Sequence, residues 1–209
     1  MNDLRLYLVT DHILSLGRDI TWIVQEAVIG GVTMVQIREK DSSTRHLIEL
    51  SMHVQQILTP YRVPLIINDR VDVALAVNAS GVHIGQSDMP YEMARKLMGR
   101  DKIIGLSVES MEQVLEANNL DVDYIGISPV FSTATKTNTS EPFGLEGTRH
   151  VMELTKHPAV GIGGINRENA FSVIQAGVTG IAVVSAICSA NDPRKAARDL
   201  RKLVEKMQQ

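Results

Sequence analysis

Along this chain, short apolar runs alternate with longer stretches in which apolar residues recur at helical spacing. The runs are "LRLYLVTD", "TMVQIREK", "VPLIIND", "GVHIG", "KIIGLSVE", "YIGISPVF", "AVGIGGI" and "GIAVVSAI". Each has the length and apolar content of a buried strand. The stretches 20–29, 44–58, 71–78, 91–98, 111–118, 146–155 and 166–176 read as helices, and 193–206 follows the last strand. Strict strand–helix alternation requires a parallel sheet with helices outside it. Eight such units close into a (β/α)8 TIM barrel. A barrel of 209 residues is compact, with short loops, and is expected to form one domain over 1–209. Glycines in "AVIGGV", "LAVNASGV" and "VIQAGVTGI" mark the joints where helices end. The exception to short loops is "STATKTNTSEPFG", residues 132–144, a polar stretch long enough to be an active-site element.

The second strand carries an unusual pattern. In "TMVQIREKD", Gln36, Arg38 and Lys40 share one face, and Val35, Ile37 and Glu39 share the other. A parallel barrel buries both strand faces, one against helices and one in the interior, so solvent is not the default partner of the cationic face. Burying two unpaired cations costs several kcal/mol each, roughly, so Arg38 and Lys40 require anions at the open mouth of the barrel. Those anions are either a ligand or structural carboxylates.

Other strand ends concentrate polar chemistry in the same way. Asn68 and Asp69 end the third strand, Asp88 follows the fourth, Ser107 lies at the end of the fifth, and Thr133, Thr135 and Lys136 follow the sixth. The C-terminal ends of barrel strands are where active sites are built. Asp69 and Asp88 leave adjacent strands, about 4.8 Å apart, and two carboxylates without His or Cys suit a hard cation such as Mg²⁺. The alternative is that each caps the helix after it. The turn "VGIGGINREN" lacks the GxGxxG spacing of a dinucleotide site. Its place after strand seven, with Gly163, Gly164, Val184 and Ser185 near the ends of strands seven and eight, is where barrels hold phosphate on backbone N–H groups. Tight packing is the competing reason for those glycines. His83 reads as a core or rim histidine and Cys188 as a small apolar filler.

Composition removes several classes of function. With 44% hydrophobic and 22% charged residues the chain reads as an ordinary globular protein. A net charge of −3 and a pI near 6.1 provide no basic field for nucleic acid, and no apolar run reaches the ~20 residues of a membrane span. Neither nucleic acid nor membrane is therefore an expected partner. One cysteine excludes an internal disulfide and fits a reducing cytoplasm, and charges in "MNDLRLYLVTD" argue against a signal peptide. Oligomeric state is not fixed by this pattern, and a homo-oligomer stays open.

Taken in order, "YLVTD", "VQIREKD", "IIND", "GVHIGQSDMP", "IGLSV", "SPVFSTATK", "GIGGI" and "VVSAI" resemble the thiamine phosphate synthase family over almost the whole chain. The resemblance implies a transferase that joins 4-amino-2-methyl-5-(diphosphooxymethyl)pyrimidine to hydroxyethylthiazole phosphate, releasing pyrophosphate. It implies that Gln36, Ile37, Arg38, Glu39, Lys40 and Asn68 contact the pyrimidine diphosphate and that Asp69 and Asp88 bind Mg²⁺. It further implies that Ser107 and Lys136 contact the pyrimidine substrate, and that Thr133, Ala134, Thr135, Gly164, Val184 and Ser185 hold the thiazole phosphate. Arg38, Lys40, Ser107 and Lys136 are then the catalytic set. One departure is Ser132, where many relatives have Pro. The residues contain no evident nucleophile, which suits a reaction in which the thiazole nitrogen attacks a pyrimidine cation and the protein supplies positioning and electrostatics. Alternatives on the same barrel are a thiazole-phosphate tautomerase, a regulatory binding protein and, at the level of fold alone, a phosphosugar isomerase.

Overall fold

A computed structural model describes residues 3–133 and 141–206. Lys136, Ala134 and Thr135 lie outside the described residues. The elements are β1 Leu6–Val9, α1 Ile20–Ile29, β2 Met34–Ile37, α2 Thr44–Leu58, β3 Leu65–Asn68, α3 Val71–Ala76, β4 Gly81–Ile84, α4 Tyr91–Met98, β5 Ile103–Val108, α5 Met111–Ala117, β6 Tyr124–Ile127, α6 Gly144–Leu154, β7 Ala159–Ile162, α7 Ala170–Gln175, β8 Gly180–Val183, α8 Ser185–Cys188 and α9 Pro193–Glu205, with a short 3-10 turn at Thr59–Tyr61. The strands pair in sequence order, all parallel, and β8 returns to β1 to close the barrel.

Alternation of side chains explains why these strands are apolar along their whole length. Leu6, Leu8, Val35, Ile37, Leu65 and Ile67 point outward into one large cluster shared with the helices. Tyr7, Met34, Ile66, Tyr124, Val160 and Ala182 point inward and fill the barrel. Two buried faces leave little polar surface on a strand, and the polar side chains accumulate where the strands end.

Helix starts follow local hydrogen-bonding chemistry. Asp19, Ser43, Ser110 and Asp192 each accept a backbone N–H from the first turn of α1, α2, α5 and α9, and Pro193 opens α9. Two expectations need correction. The stretch 166–176 becomes helical only at Ala170, because Asn166 accepts the N–H groups of Glu168 and Asn169 and folds the chain into a turn first. A short helix, α8, follows β8 directly and was not expected from the pattern. Arg18 ties the first unit to the last, donating to the carbonyls of Cys188 at 2.5 Å and Ala190 at 2.6 Å.

Candidate active site

The C-terminal mouth of the barrel opens into a cavity of about 440 Å³ that reaches down to Tyr7 and His83. Its wall brings together Gln36, Arg38, Lys40, Asn68, Asp69, Asp88, Ser107, Thr133, Gly164, Val184 and Ser185. Residues separated by up to about 150 positions thus meet because each sits at or just beyond a strand end. Ile37 and Glu39 do not join them. Ile37 is buried in the outer cluster between sheet and helices, and Glu39 projects from the same side, where burial pushes its carboxyl up. Their side chains turn away from the mouth, as the alternation of a strand dictates.

Both cations of β2 and the segment after it have carboxylate partners. Arg38 Nη1 lies 2.9 Å from Asp11 Oδ2, and its backbone N–H donates to the buried Thr10 hydroxyl at 3.1 Å. Lys40 Nζ is 3.8 Å from Asp69 Oδ2 and is half exposed. The carboxylate alternative raised by the sequence is therefore realised, with the carboxylates themselves at the mouth.

Asp69 and Asp88 are not helix caps. The residues preceding α3 and α4 are Arg70 and Pro90, neither of which caps through its side chain, and Asp88 Oδ2 accepts the N–H of Gly85 at 2.6 Å. Asp69 has a left-handed backbone, φ 61°, held by its own N–H donating to the His83 carbonyl at 2.8 Å. A left-handed non-glycine residue costs conformational energy, though Asp tolerates it better than most, and such strain concentrates at functional sites. Burial, a hydrogen bond to Asp88 and the charge of Asp88 push the Asp69 carboxyl up to about 6. A carboxyl raised by burial and by a neighbouring carboxylate marks a site needing positive charge. Among the described residues, no group of three or more His, Cys, Asp or Glu is placed to hold a metal.

On the far side of the cavity, Gly163 and Gly164 both have left-handed φ, 100° and 64°. A Cβ on Gly163 would lie 2.7 Å from Pro129 Cβ, and one on Gly164 would lie 2.8 Å from Phe131 Cβ and the Ser132 carbonyl oxygen. Tight packing thus accounts for both glycines, while Gly164 also lines the cavity beside Val184 and Ser185. The start of α8, at Val184 and Ser185, lines the cavity here, while Asn169 before α7 donates to the Gly164 carbonyl at 2.9 Å.

The sequence reading missed a chain of hydrogen bonds at the cavity floor. Gln36 Nε2 donates to Tyr7 Oη at 2.7 Å, Tyr7 Oη meets Tyr124 Oη at 2.9 Å, Tyr124 Oη meets His83 Nδ1 at 3.0 Å, and His83 Nε2 meets Ser107 Oγ at 2.9 Å. His83 is accordingly a hydrogen-bonded rim residue, and Cys188 is the buried filler expected of it. The available signal was the pair Gly105 and Gly126 inside otherwise branched strands. A Cβ on Gly105 would fall 2.1 Å from the Tyr124 ring and 2.5 Å from His83 Nδ1, and one on Gly126 would fall 3.3 Å from the His83 ring.

A closed parallel barrel with paired carboxylates, nearby cations and a glycine turn at its C-terminal mouth belongs to the class of barrel enzymes that handle phosphorylated small molecules. Residues 6–187 match the family described as thiamine monophosphate synthase, and the chain is a member of that family. It is 54% identical over 200 residues to the thiamine-phosphate synthase of Vibrio campbellii, covering 96% of this chain and 98% of the relative. It is 52% identical over 202 residues to that of Albidiferax ferrireducens, covering 97% and 92%. The solved structure of thiamine phosphate pyrophosphorylase from Pyrococcus furiosus superposes with a TM-score of 0.91 at 44% identity, covering 99% of this chain and 98% of that one. The chain is a thiamine-biosynthetic enzyme of this family.

Proposed function

We propose that the enzyme transfers the pyrimidinylmethyl group of 4-amino-2-methyl-5-(diphosphooxymethyl)pyrimidine to the ring nitrogen of hydroxyethylthiazole phosphate, giving thiamine phosphate and pyrophosphate. The observation that carries this reading is the division of the mouth. Asp69, Asp88, Arg38 and Lys40 lie on one side, and the Gly164, Val184 and Ser185 backbone lies on the other. One arrangement suits a diphosphate and the other a separate monophosphate. A tautomerase or a non-catalytic sensor has no use for the first.

The donor set fits Mg²⁺, because two neighbouring carboxylates, Asp69 in a left-handed backbone and Asp88, offer hard oxygen ligands of the kind Mg²⁺ takes together with water and substrate phosphate. Held by Asp69 and Asp88, Mg²⁺ would supply Lewis-acid neutralisation of the diphosphate oxygens. Arg38 and Lys40, together with Lys136, bind and orient the diphosphate through charge-assisted hydrogen bonds. Gln36, Asn68 and Ser107 hold the pyrimidine end, assisted by the backbone at Ile37 and Glu39. Thr133, Ala134 and Thr135 complete the thiazole phosphate cradle.

The bond order follows from substrate electronics. The amino group of the pyrimidine is conjugated with the carbon that bears the diphosphate, so the C–O bond breaks with its electron pair leaving on pyrophosphate. The cation left behind is delocalised, and the thiazole nitrogen then supplies the pair for the new C–N bond. Enclosure by the barrel walls keeps water from that cation. Cys188, a buried thiol, accords with a reducing cytoplasm as the setting.

Incubating the purified protein with both substrates and Mg²⁺ and assaying thiamine phosphate tests the reaction, and absence of product over many equivalents overturns it. Replacing the pyrimidine methyl by trifluoromethyl tests the bond order. A cation-forming step slows about a thousandfold, roughly 4 kcal/mol of barrier, whereas direct displacement barely changes.

A further inference from the structure

The floor of the cavity contains a question of hydrogen-bond direction. Tyr7, Tyr124, His83 and Ser107 come from β1, β6, β4 and β5, and with Gln36 of β2 they form an unbroken series of contacts between 2.7 and 3.0 Å. Tyr7 and Tyr124 are fully buried, and burial keeps both phenols protonated far above neutral pH. Each therefore has one proton to give and lone pairs to receive. A neutral imidazole donates at one nitrogen and accepts at the other.

The end held by Gln36 sets the direction. Its amide nitrogen faces Tyr7, so the Tyr7 oxygen accepts there and its own proton points to Tyr124. Tyr124, having accepted, donates to His83 Nδ1. The remaining proton of His83 then sits on Nε2 and goes to Ser107 Oγ. Reversing the inner bonds would make the Tyr7 oxygen accept twice and leave its buried proton without an acceptor among the described residues, an arrangement disfavoured in a low-dielectric interior. The barrel is also shaped around these rings, since Gly105 and Gly126 leave the space that Tyr124 and His83 occupy.

We propose that these five groups form one directional hydrogen-bond chain that fixes His83 as its Nε2–H tautomer and makes the Ser107 hydroxyl a donor toward an acceptor atom of the substrate. Tyr124, Tyr7 and His83 are positioning residues. They act on the ligand through Ser107 at one end and Gln36 at the other. The opposite direction, with the Gln36 carbonyl toward Tyr7, would place the proton on His83 Nδ1 and leave Ser107 able only to accept. The identity of the acceptor rests on the proposed pyrimidine reading, whereas the tautomer does not.

Nitrogen-15 histidine spectra of the substrate-free protein test the direction, with the His83 signals assigned by their loss in His83→Gln. The expected result is an Nε2–H tautomer in the unaltered protein and in Tyr7→Phe, because Tyr124 still donates to His83 there. In Tyr124→Phe the Nδ1 partner is lost. That variant is expected to show a mixed tautomer and about a tenfold lower kcat/KM for the pyrimidine diphosphate, with the KM for thiazole phosphate within twofold. An Nδ1–H tautomer in the unaltered protein overturns the direction. Unchanged tautomer together with unchanged kcat/KM in a folded Tyr124→Phe overturns the chain. Because the spectra need no substrate, failure to form thiamine phosphate would sink the proposed reaction and leave this inference standing.

Discussion

Arg38 and Asp11 face one another where β1 and β2 open, guanidinium to carboxylate at 2.9 Å, with 18% and 14% of their side chains exposed. Asp11 holds the guanidinium in one place before any diphosphate arrives, and a preorganised cation contributes more to a charge-developing step than a mobile one. Arg38→Ala should therefore reduce kcat/KM by roughly 10²-fold or more. Asp11→Asn keeps an oxygen acceptor and should reduce it less than about tenfold. Steady-state kinetics on both variants decide the matter, and equal losses would mean that Asp11 contacts substrate directly.

Asp69 and Asp88 together should be a burden without a cation. Because the Asp69 carboxyl is raised to about 6, its stabilising contribution is present below the ordinary carboxylate range and is lost as pH rises through 6. The substrate-free protein should accordingly lose thermal stability between about pH 4 and pH 6.5, and millimolar Mg²⁺ should recover it near neutral pH. Asp69→Asn should flatten that pH dependence, abolish the Mg²⁺ effect on Tm and cut turnover by ~10²-fold. A variant that melts like the parent with and without Mg²⁺ and retains near-normal turnover removes the metal assignment.

Ser185 is exposed and lines the side of the cavity proposed for the thiazole phosphate. Ser185→Asp places a like charge beside that anion and should raise the KM for thiazole phosphate by about tenfold while leaving the KM for the pyrimidine diphosphate within twofold. Tm should move little, since exposed substitutions fall within about 0.5 kcal/mol. Parallel increases in both constants would argue for a single shared anion site.

Alkali should unfold this protein through its buried acids. Burial raises the Tyr7 and Tyr124 phenols and pushes the Cys188 thiol up to about 12. Each stays protonated in the fold while the unfolded chain ionises, so their contribution is complete below about pH 8.5 and falls as pH rises above it. Tm should decline from pH 9 to pH 11, and Cys188 should resist thiol reagents at pH 8 unless the protein is denatured. Rapid labelling of native protein would contradict the burial of that thiol.

The barrel was legible because its signal is local. Each apolar run and each helical stretch is fixed by its own residues, and α1, α2 and α4 begin and end where the periodicity places them. The mouth was legible for a related reason: Asn68, Asp69, Asp88 and Ser107 interrupt apolar runs at positions where a strand must end. The floor was not. Tyr7 and Tyr124 are 117 positions apart and His83 and Tyr124 are 41 apart, so their contacts depend on strand register around the closed sheet. The nearby glycines, Gly105 and Gly126, mark where a ring needs room but not which ring fills it. Helix α8 escaped because four residues contain no period, and the late start of α7 because a turn built by Asn166 preserves apolar spacing.

The close fit of Gly105 against Tyr124 has a consequence for redesign. With only 2.1 Å between a Cβ at 105 and that ring, the floor cannot be enlarged or reshaped one position at a time. Removing the tyrosine alone opens a void beside the imidazole, and adding a methyl alone drives two rings out of place. Gly105, His83 and Tyr124 are exchangeable only as a set, so libraries seeking altered heterocycles should randomise all three together or leave the floor intact and vary the rim.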